Sequence, residues 1–162
     1  MRRLVLIALL LATPALAEKE DLTGRSGAAV PRFVSLRSGE ANMRSGPGDQ
    51  YPVTWTYKRQ GLPVEIVREW GIWRLVRDPE GTQGWMQKAL LSPDRTAYVT
   101  RGVRTLTAQP DIGAKALWRV EPGVVARVLF CAAAWCRVSV DGQSGYILRA
   151  QVWGVYPGEK VG

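Results

Sequence analysis

Short apolar segments alternate with turn residues along most of the chain, and this pattern predicts β-strands. From Phe33 onward, glycine, proline and aspartate interrupt the apolar segments roughly every eight to twelve residues. Val53, Trp55 and Tyr57 alternate with threonine, which places them on one face of a strand. The pattern therefore favours an all-β fold over one in which strands alternate with helices.

The same series of residues occurs twice, so the chain contains an internal repeat. In the first copy Trp73 follows Gly61 by twelve residues, and in the second copy Trp135 follows Gly123 by the same distance. Each copy has about 60 residues and would bury too little surface to be stable without a neighbour. Further matched segments are Asn42-Met43-Arg44 with Gly102-Val103-Arg104, and Gly84-Trp85-Met86 with Gly145-Tyr146-Ile147.

The segment after Asn42 has the composition of a sharp turn. Gly46 and Gly48 tolerate positive φ, and Pro47 between them fixes φ at about −65°. We expect the chain to reverse here between two strands, and the Asn42 side chain to bond a nearby backbone group. Close backbone packing, with the following ring in the core, is expected at Gly84-Trp85 and Gly145-Tyr146.

The first copy contains a longer ordered set of motifs. It comprises Asn42-Met43-Arg44-Ser45-Gly46-Pro47-Gly48, Tyr51-Pro52-Val53, Gly61-Leu62-Pro63-Val64-Glu65-Ile66, Trp73-Arg74-Leu75-Val76 and Gly84-Trp85-Met86. This set resembles the bacterial SH3 (SH3b) domain family, whereas the second copy is similar mainly in its back half. The resemblance covers residues 33–153. It implies two tandem small SH3-like barrels and a binding module of bacterial envelope proteins.

The N-terminus is typical of a secretory signal peptide. Met-Arg-Arg precedes an apolar run, and Ala15-Leu16-Ala17 precedes an acidic cluster, so cleavage is expected between Ala17 and Glu18. The apolar run is shorter than the ~20 residues of a membrane-spanning helix. After the signal peptide at 1–17, we predict a flexible segment at 18–32, domains at 33–93 and 96–156, and a tail at 157–162.

The chain is basic, with 22 Lys and Arg against 14 Asp and Glu and a net charge of +8. Loss of Arg2 and Arg3 with the signal peptide lowers this to +6. An exported protein does not meet nucleic acid, so the charge indicates an anionic envelope surface as a partner, or only aids solubility. We expect the protein in the periplasm, with secretion as the alternative.

The chain has seven tryptophans, which raises the question of a binding surface. Trp70 lies in a turn and Tyr51 in a loop, so we expect both rings at the surface. With Arg44 and Arg74 they form a candidate groove that stacks on a ring or proline and pairs with a carboxylate. Alternatively, these four side chains cover the edges of the core. Four tryptophans in strand-like segments are expected in the core: Trp55, Trp73, Trp118 and Trp135.

Cys131 and Cys136 flank a predicted hairpin tip. In an oxidising compartment such a pair indicates a disulfide, although free thiols or a redox pair are alternatives. A loop this short limits the stabilisation to ~2 kcal/mol. Both positions align with Glu69 and Arg74 of the first copy. The second copy is therefore expected to replace a polar pair with a covalent bond.

The absence of histidine from the chain excludes histidine-based catalytic triads and histidine metal ligands. Two cysteines alone do not make a four-ligand metal site, so we expect no metal and no cofactor. The carboxylates could form a glycosidase pair only in a deep cleft, which a small barrel rarely offers. We expect a non-enzymatic protein that binds peptidoglycan or an envelope protein. A structural subunit of an envelope complex and an envelope hydrolase are the alternatives.

Overall fold

The computed structural model describes residues 24–162. These residues form fourteen β-strands and two short 3-10 helices, and they contain no α-helix. The predicted all-β fold class is confirmed. The predicted signal peptide and its cleavage site at Ala17 and Glu18 lie outside the described residues.

The first domain contains seven strands. They span Arg32–Leu36 (β1), Ala41–Arg44 (β2), Val53–Tyr57 (β3), Pro63–Trp70 (β4), Trp73–Arg77 (β5), Gln83–Gln87 (β6) and Leu91–Ser92 (β7), with a 3-10 helix at Lys88–Leu90. The second domain repeats this series. Its strands span Thr96–Val99 (β8), Arg104–Thr107 (β9), Ala116–Val120 (β10), Val125–Ala132 (β11), Trp135–Val140 (β12), Gln143–Leu148 (β13) and Val152–Trp153 (β14), with a 3-10 helix at Arg149–Gln151.

Both domains have one topology. The first sheet has the order β3-β2-β6-β5-β4-β1-β7 and the second β10-β9-β13-β12-β11-β8-β14, so each strand occupies the place of the strand seven earlier. All pairs are antiparallel, and β3 and β10 are edge strands. The chain therefore consists of two tandem SH3-like domains, as predicted.

Alternate side chains of a strand point to the same face of the sheet, and the apolar side chains on that face form one hydrophobic core in each domain. Met43 and Val76 are fully buried in the first core, and Leu106 and Val138 are buried in the second. The strand pairing aligns Met43 of β2 with Leu106 of β9, because each faces the tryptophan of the edge strand. The sequence alignment of Met43 with Val103 is wrong by three residues.

Gly84 and Gly145 lie where a neighbouring strand approaches closely. A Cβ on Gly84 would lie 2.3 Å from the Met43 Cγ atom, and a Cβ on Gly145 would meet its nearest side-chain atom at 2.7 Å. Close packing is thus present at both positions. The following rings, Trp85 and Tyr146, point to the opposite face of the sheet and are half-buried. The expectation that these rings lie in the core is wrong.

The two domains pack against each other through aromatic and polar contacts. The Phe33 ring lies 4.8 Å from the Trp153 ring and 4.5 Å from the Tyr156 ring, between centroids. The Tyr156 hydroxyl donates a hydrogen bond of 2.7 Å to Glu65 Oε1, and its pKa is raised by burial and by this carboxylate. The Thr96 hydroxyl donates to a first-domain backbone carbonyl at 2.6 Å. The tandem domains therefore share a polar and aromatic interface.

Both segments that flank the barrels are held by specific contacts. Ser26, within the segment predicted to be flexible, donates two hydrogen bonds to Glu69. In the tail, Glu159 pairs with Arg95 at 2.6 Å, and Val161 pairs with β11 through a backbone bridge. The hydrogen bonds from Arg95 lower the pKa of Glu159 although burial acts in the opposite direction.

Candidate functional site

Two of the predicted binding residues lie at the β2–β3 connection, Arg44 as the last residue of β2 and Tyr51 in the loop. Arg44 donates hydrogen bonds from Nη1 to the backbone carbonyls of Asp49 at 3.1 Å and Tyr51 at 2.7 Å. The Tyr51 ring is 39% exposed. Arg44 therefore fixes the loop, and it holds the Tyr51 backbone beside its own guanidinium.

The glycines of this loop are needed for a different reason from the predicted one. Neither Gly46 nor Gly48 has positive φ. A Cβ on Gly46 would lie 2.4 Å from the Tyr51 ring, and a Cβ on Gly48 would lie 2.3 Å from Gln50 Oε1. Pro47 lies between these two close approaches. The Tyr51 ring therefore crowds Gly46, whereas the atom near Gly48 is the flexible end of the Gln50 side chain, which can move aside.

Arg44 lines a groove on the outer face of the first domain. The groove has a volume of about 320 Å³ and is lined by Glu40, Asn42, Arg44, Trp73, Gln87 and Leu90. Asn42 accepts a hydrogen bond of 2.8 Å from the Thr56 hydroxyl, so its partner is a side chain and the predicted backbone partner is wrong. Trp73 is only 7% exposed and forms an apolar wall of the groove. We call this feature the Arg44 groove.

The second domain has a groove at the equivalent position. It has a volume of about 220 Å³, and its lining includes Thr107 where the first domain has Arg44 and Trp135 where the first has Trp73. Trp135 is half-buried and lies outside the second core, so the expectation that its ring lies in the core is wrong. Arg104 supplies a guanidinium to this groove from a different position, and the groove has no carboxylate, whereas Glu40 lines the Arg44 groove. The two grooves therefore share a shape and a tryptophan but differ in chemistry.

Arg74, the third predicted binding residue, is buried and fully engaged. Its Nε lies 3.2 Å from Glu69 Oε1, and its Nη1 donates to the backbone carbonyls of Gly71 and Trp73 at 2.8 and 2.9 Å. A guanidinium with this many internal partners is not free to bind a ligand. We therefore assign it to the stability of the β4–β5 hairpin.

Glu69 is the centre of a polar cluster at the same hairpin. It accepts hydrogen bonds from the Ser26 backbone and hydroxyl at 2.7 and 2.8 Å and from Arg32 at 2.6 Å. Burial raises the pKa of Glu69, but the Ser26 and Arg32 hydrogen bonds and the Arg74 charge lower it to about 2. Glu69 is therefore ionised throughout the physiological range.

Trp70, the fourth predicted binding residue, lies at the tip of the hairpin and is 51% exposed. The Arg25 guanidinium lies 4.3 Å from the centroid of its ring, a cation–π contact. Exposure of this ring was predicted, but its partner Arg25 was not. Of the four predicted residues, the structure thus places Arg44 on the groove, leaves Tyr51 and Trp70 accessible, and buries Arg74. Their role in binding stays a prediction.

Cys131 and Cys136 form the predicted disulfide, with an S–S distance of 2.02 Å. The two residues are directly paired across β11 and β12, as Glu69 and Arg74 are across β4 and β5. The predicted replacement of a polar pair by a covalent bond is confirmed.

The prediction that Trp55 and Trp118 lie in the core is wrong. Trp55 is 57% exposed and Trp118 is 42% exposed. Each is paired with a buried core residue, so each side chain points to the core face of its sheet. Because β3 and β10 are edge strands, nothing covers this part of the core face. The repeat of tryptophan was visible in the sequence, but the edge position was not.

Trp55 borders a second cavity, of about 310 Å³, on the face of β3 opposite to the Arg44 groove. Its lining includes Trp55, Tyr57, Arg59, Glu80, Thr82 and Tyr98. The Tyr57 hydroxyl donates to Asp78 Oδ2 at 2.9 Å, and burial together with this carboxylate raises the pKa of Tyr57. Tyr98 belongs to the second domain, so both domains contribute to this Trp55 cavity.

Three of the four carboxylates that the sequence offers for catalysis, Glu65, Glu69 and Asp78, have structural partners, whereas Glu80 is exposed. Glu65 pairs with Arg77 and Tyr156, and Asp78 accepts hydrogen bonds from Tyr57 and two backbone amides. Within residues 24–162, no cluster of three or more His, Cys, Asp and Glu residues is placed to hold a metal ion. None of the helices in this part of the chain has the length and apolar character that crossing a bilayer requires.

Comparison with known proteins gives one curated relative and several solved structures. The relative is "Putative N-acetylmuramoyl-L-alanine amidase YrvJ" of Bacillus subtilis (strain 168), 25% identical over 155 residues. The match covers 88% of this chain but only 29% of that protein. Among solved structures, NlpC2 from Trichomonas vaginalis is 15% identical, with 76% of this chain and 48% of that chain covered and a TM-score of 0.35. An NlpC/P60 family protein from Bacillus cereus ATCC 10987 is also 15% identical, with coverages of 75% and 55% and a TM-score of 0.34.

The sequence profile of the bacterial SH3 domain family matches two segments of the chain, residues 37–93 and 105–154. Each segment lies within one domain and begins after the first strand of its sheet, β1 or β8. Together they cover more than half of the chain. The chain therefore belongs to the bacterial SH3 domain family.

Proposed function

We propose that this protein is a non-enzymatic binding module of the bacterial envelope, which recognises cell-wall peptide or glycan, or an envelope protein. The observation that carries the proposal is the Arg44 groove. The groove combines an aromatic wall, Trp73, with the Arg44 guanidinium, whose side chain is 24% exposed and whose Nη2 lies 3.9 Å from Asp49. Its remaining polar lining comprises amide groups at Asn42 and Gln87 and the Glu40 carboxylate. Such a set suits a ligand that has both a carboxylate and hydrogen-bonding groups.

Membership of the bacterial SH3 domain family and the name of the curated relative both support a cell-wall partner. The periplasm is the proposed location, and secretion is the alternative. The protein needs no cofactor for binding of this kind. The structural partners of Glu65, Glu69 and Asp78 support a role without catalysis, because each carboxylate is already engaged in holding the fold.

Sedimentation of the purified protein with isolated peptidoglycan tests this proposal. We expect the protein to pellet with the cell wall, and the bound fraction to fall as salt is added, since charge contributes to binding. Arg44→Gln should weaken the affinity for peptidoglycan about tenfold and thereby lower the bound fraction. Arg101→Gln is the matched control, because it removes the same charge at an exposed site outside the groove.

A pull-down from envelope extract separates the remaining candidates. A stoichiometric protein partner, with no retention by peptidoglycan, would favour the structural subunit. Release of soluble fragments from peptidoglycan would favour the hydrolase instead. If neither peptidoglycan nor an envelope protein retains the protein, or if Arg44→Gln binds as the original does, the proposed binding role of the groove is wrong.

A further inference from the structure

The second domain contains a cavity of about 470 Å³ between the tip of its β11–β12 hairpin, its 3-10 helix and its C-terminal tail. The wall is aliphatic, with Ala133 and Ala134 from the tip, Val152 from β14 and Pro157 from the tail. Among residues 24–162, Arg149 is the one polar side chain of the lining, which includes no carboxylate. A cavity of this volume is in the range of small-molecule sites. We call it the Arg149 cavity.

Arg149 is buried without an ion pair. Its side chain belongs to a residue that is only 8% exposed, and none of the ion pairs in the described part of the chain includes it. Nε donates to the Ala133 carbonyl at 3.1 Å and Nη1 to the Tyr156 carbonyl at 2.7 Å, whereas Nη2 forms no hydrogen bond within residues 24–162. Nη2 is not enclosed either, because the only fully enclosed side-chain nitrogen without a partner in this range is Nε of Arg95. Since a buried charge is normally paired, Nη2 is available to an anion that enters the cavity.

The burial of this arginine is specific to the second domain. Lys88, the equivalent first residue of the other 3-10 helix, is exposed. The chain after β14 folds back over Arg149, whereas the chain after β7 continues into the second domain. The tip also differs, because Ala133 has a φ of 49° where the first domain has Gly71 with a φ of 54°. A side chain in this left-handed region is strained, so the tip keeps a methyl group in the cavity wall where glycine would be relaxed.

Glu159 is the carboxylate whose charge interacts with Arg149, and it is already compensated. It accepts hydrogen bonds from Arg95 at 2.6 and 3.0 Å and from the Tyr156 backbone amide at 2.9 Å. Burial raises the pKa of Glu159, but Arg95 and the Tyr156 amide lower it, and the Arg149 charge contributes least to this lowering. An anion beside Arg149 therefore meets little repulsion from Glu159.

An aliphatic wall with a single guanidinium favours an aliphatic ligand with a single anionic group. Sugars and peptides carry several hydroxyl or amide groups, which need hydrogen-bond partners when they are removed from water. The side chains that line the cavity offer no such partner besides Arg149. An alkyl chain needs none, and a carboxylate at its end forms charge-assisted hydrogen bonds with a guanidinium.

We propose that the Arg149 cavity binds an aliphatic monocarboxylate of medium chain length, the chemistry of a free fatty acid. The alkyl chain packs against the alanine, valine and proline side chains, and the carboxylate accepts a hydrogen bond from Nη2 of Arg149. The cavity lies in the second domain and the Arg44 groove in the first, so this binding does not depend on the proposed cell-wall function.

NMR titration of the isotope-labelled, purified protein with three probes tests this inference. Octanoate has the chain and the charge, octanamide has the same chain and a neutral head of the same shape, and acetate has the charge without the chain. We expect octanoate to shift the backbone amides of Ala133, Ala150 and Gly158 in a saturable way and to leave the amides of the first domain unchanged. Octanamide and acetate should each bind about tenfold more weakly or less.

Variants separate the contribution of the charge from that of the cavity. Arg149→Gln should lower the affinity for octanoate to that for octanamide and leave the affinity for octanamide unchanged. Arg137→Gln is its control, because it removes an exposed arginine of the same domain outside the cavity.

Arg149→Gln also weakens two hydrogen bonds to the backbone, so a second variant retains the arginine. Ala134→Ile introduces the residue of the equivalent position in the first domain, Ile72, and narrows the cavity. We expect it to reduce the affinity for octanoate at least about tenfold. Ala116→Ile, on an exposed edge strand outside the cavity, is its control. Near-ultraviolet circular dichroism checks that each variant is folded.

Three results would overturn the inference. They are the absence of saturable shifts with octanoate, equal affinities for octanoate and octanamide, and unchanged binding of octanoate by the folded Ala134→Ile protein. Shifts that centre on the first domain would likewise show that the Arg149 cavity is not the site. Sedimentation with peptidoglycan is measured separately, so failure of the fatty-acid site leaves the proposed function standing, and the reverse also holds.

Discussion

The hairpin tips of the two domains have one backbone arrangement and two kinds of cross-strand bridge. In the first domain Glu69 and Arg74 join β4 to β5 by an ion pair of 3.2 Å. In the second domain Cys131 and Cys136 join β11 to β12 by a disulfide at the same paired positions. The tip therefore requires a link between the strands, and either chemistry supplies it.

The two hairpin tips also differ in which arginine binds the backbone of the turn. Arg74 donates a hydrogen bond to the Gly71 carbonyl at 2.8 Å. The equivalent carbonyl in the second domain, that of Ala133, accepts a hydrogen bond of 3.1 Å from Arg149, which comes from the 3-10 helix after β13. Arg149 is buried and thus takes over one of the contacts that Arg74 makes. An arginine lost from one strand is compensated by an arginine from another element.

The ion-paired tip also holds the N-terminal segment, which the disulfide does not do in the second domain. Ser26 and Arg32 both donate to Glu69. A carboxylate has several acceptor positions and can serve three donors at once, whereas a disulfide accepts no such hydrogen bonds. The first tip therefore gains contacts with the preceding chain and becomes dependent on a single charge.

The largest expected effect follows from removing that charge. Glu69→Ala leaves the Arg74 guanidinium buried without its carboxylate, and we expect the first domain to lose about 3–5 kcal/mol in its free energy of unfolding. Urea unfolding followed by tryptophan fluorescence measures this loss. The double variant Glu69→Cys with Arg74→Cys, which copies the second domain, should recover much of it. A loss below about 1 kcal/mol would show that the ion pair is not what holds this tip.

Acid should distinguish the two tips without any substitution. The pKa of Glu69 is about 2 in the folded protein, below its ordinary value of 4.5, so its contribution is complete above about pH 4.5 and is lost as the pH falls towards 2. The lost stability should be about 3 kcal/mol. Protection of the amides from hydrogen exchange, relative to their intrinsic rates at each pH, should fall over this range more at the β4–β5 tip than at the β11–β12 tip. Glu69→Gln provides the control, since it should remove this part of the acid response; an unchanged response would contradict the assignment.

Reduction of the disulfide should have the smallest effect of the three. The closed loop between Cys131 and Cys136 is short, so we expect a loss of about 2 kcal/mol from the second domain. Comparison of urea unfolding of the Cys131→Ser, Cys136→Ser protein with that of the oxidised protein measures it. The first domain, which has no cysteine, should unfold as before. If the free energy of unfolding falls by more than it does in Glu69→Ala, the disulfide contributes more than the ion pair, and the proposed order of the two bridges is wrong.

Several features of this fold could be predicted because they depend on local pattern. The repeated spacing of Gly61 to Trp73 and Gly123 to Trp135 predicted two copies of one β domain. Alignment of the cysteines with Glu69 predicted their exchange for a polar pair. Such spacings are preserved because each depends on a turn of defined length between two strands.

The candidate site was predicted only in part, because accessibility depends on distant segments. Arg74 and Arg44 look alike in the sequence, yet Arg74 is buried beside Glu69 and Arg44 lines a groove. The sequence alignment matched Arg44 with Arg104 because both residues are arginine. The strand pairing instead aligns the buried Met43 with Leu106, so that Arg44 is equivalent to Thr107.

The sequence by itself determined the period of the strands, the repeat and the cysteine pair. It placed Trp55 on the correct face of its sheet, but Trp85 and Tyr146 point to the face opposite to the predicted one. Tertiary structure alone decided which parts of those faces are covered. Trp55 points to the core face, as its alternation with threonine predicts, but it is 57% exposed because β3 is the last strand of its sheet. Alternation is a property of neighbouring residues, whereas burial requires a second segment to lie above the side chain.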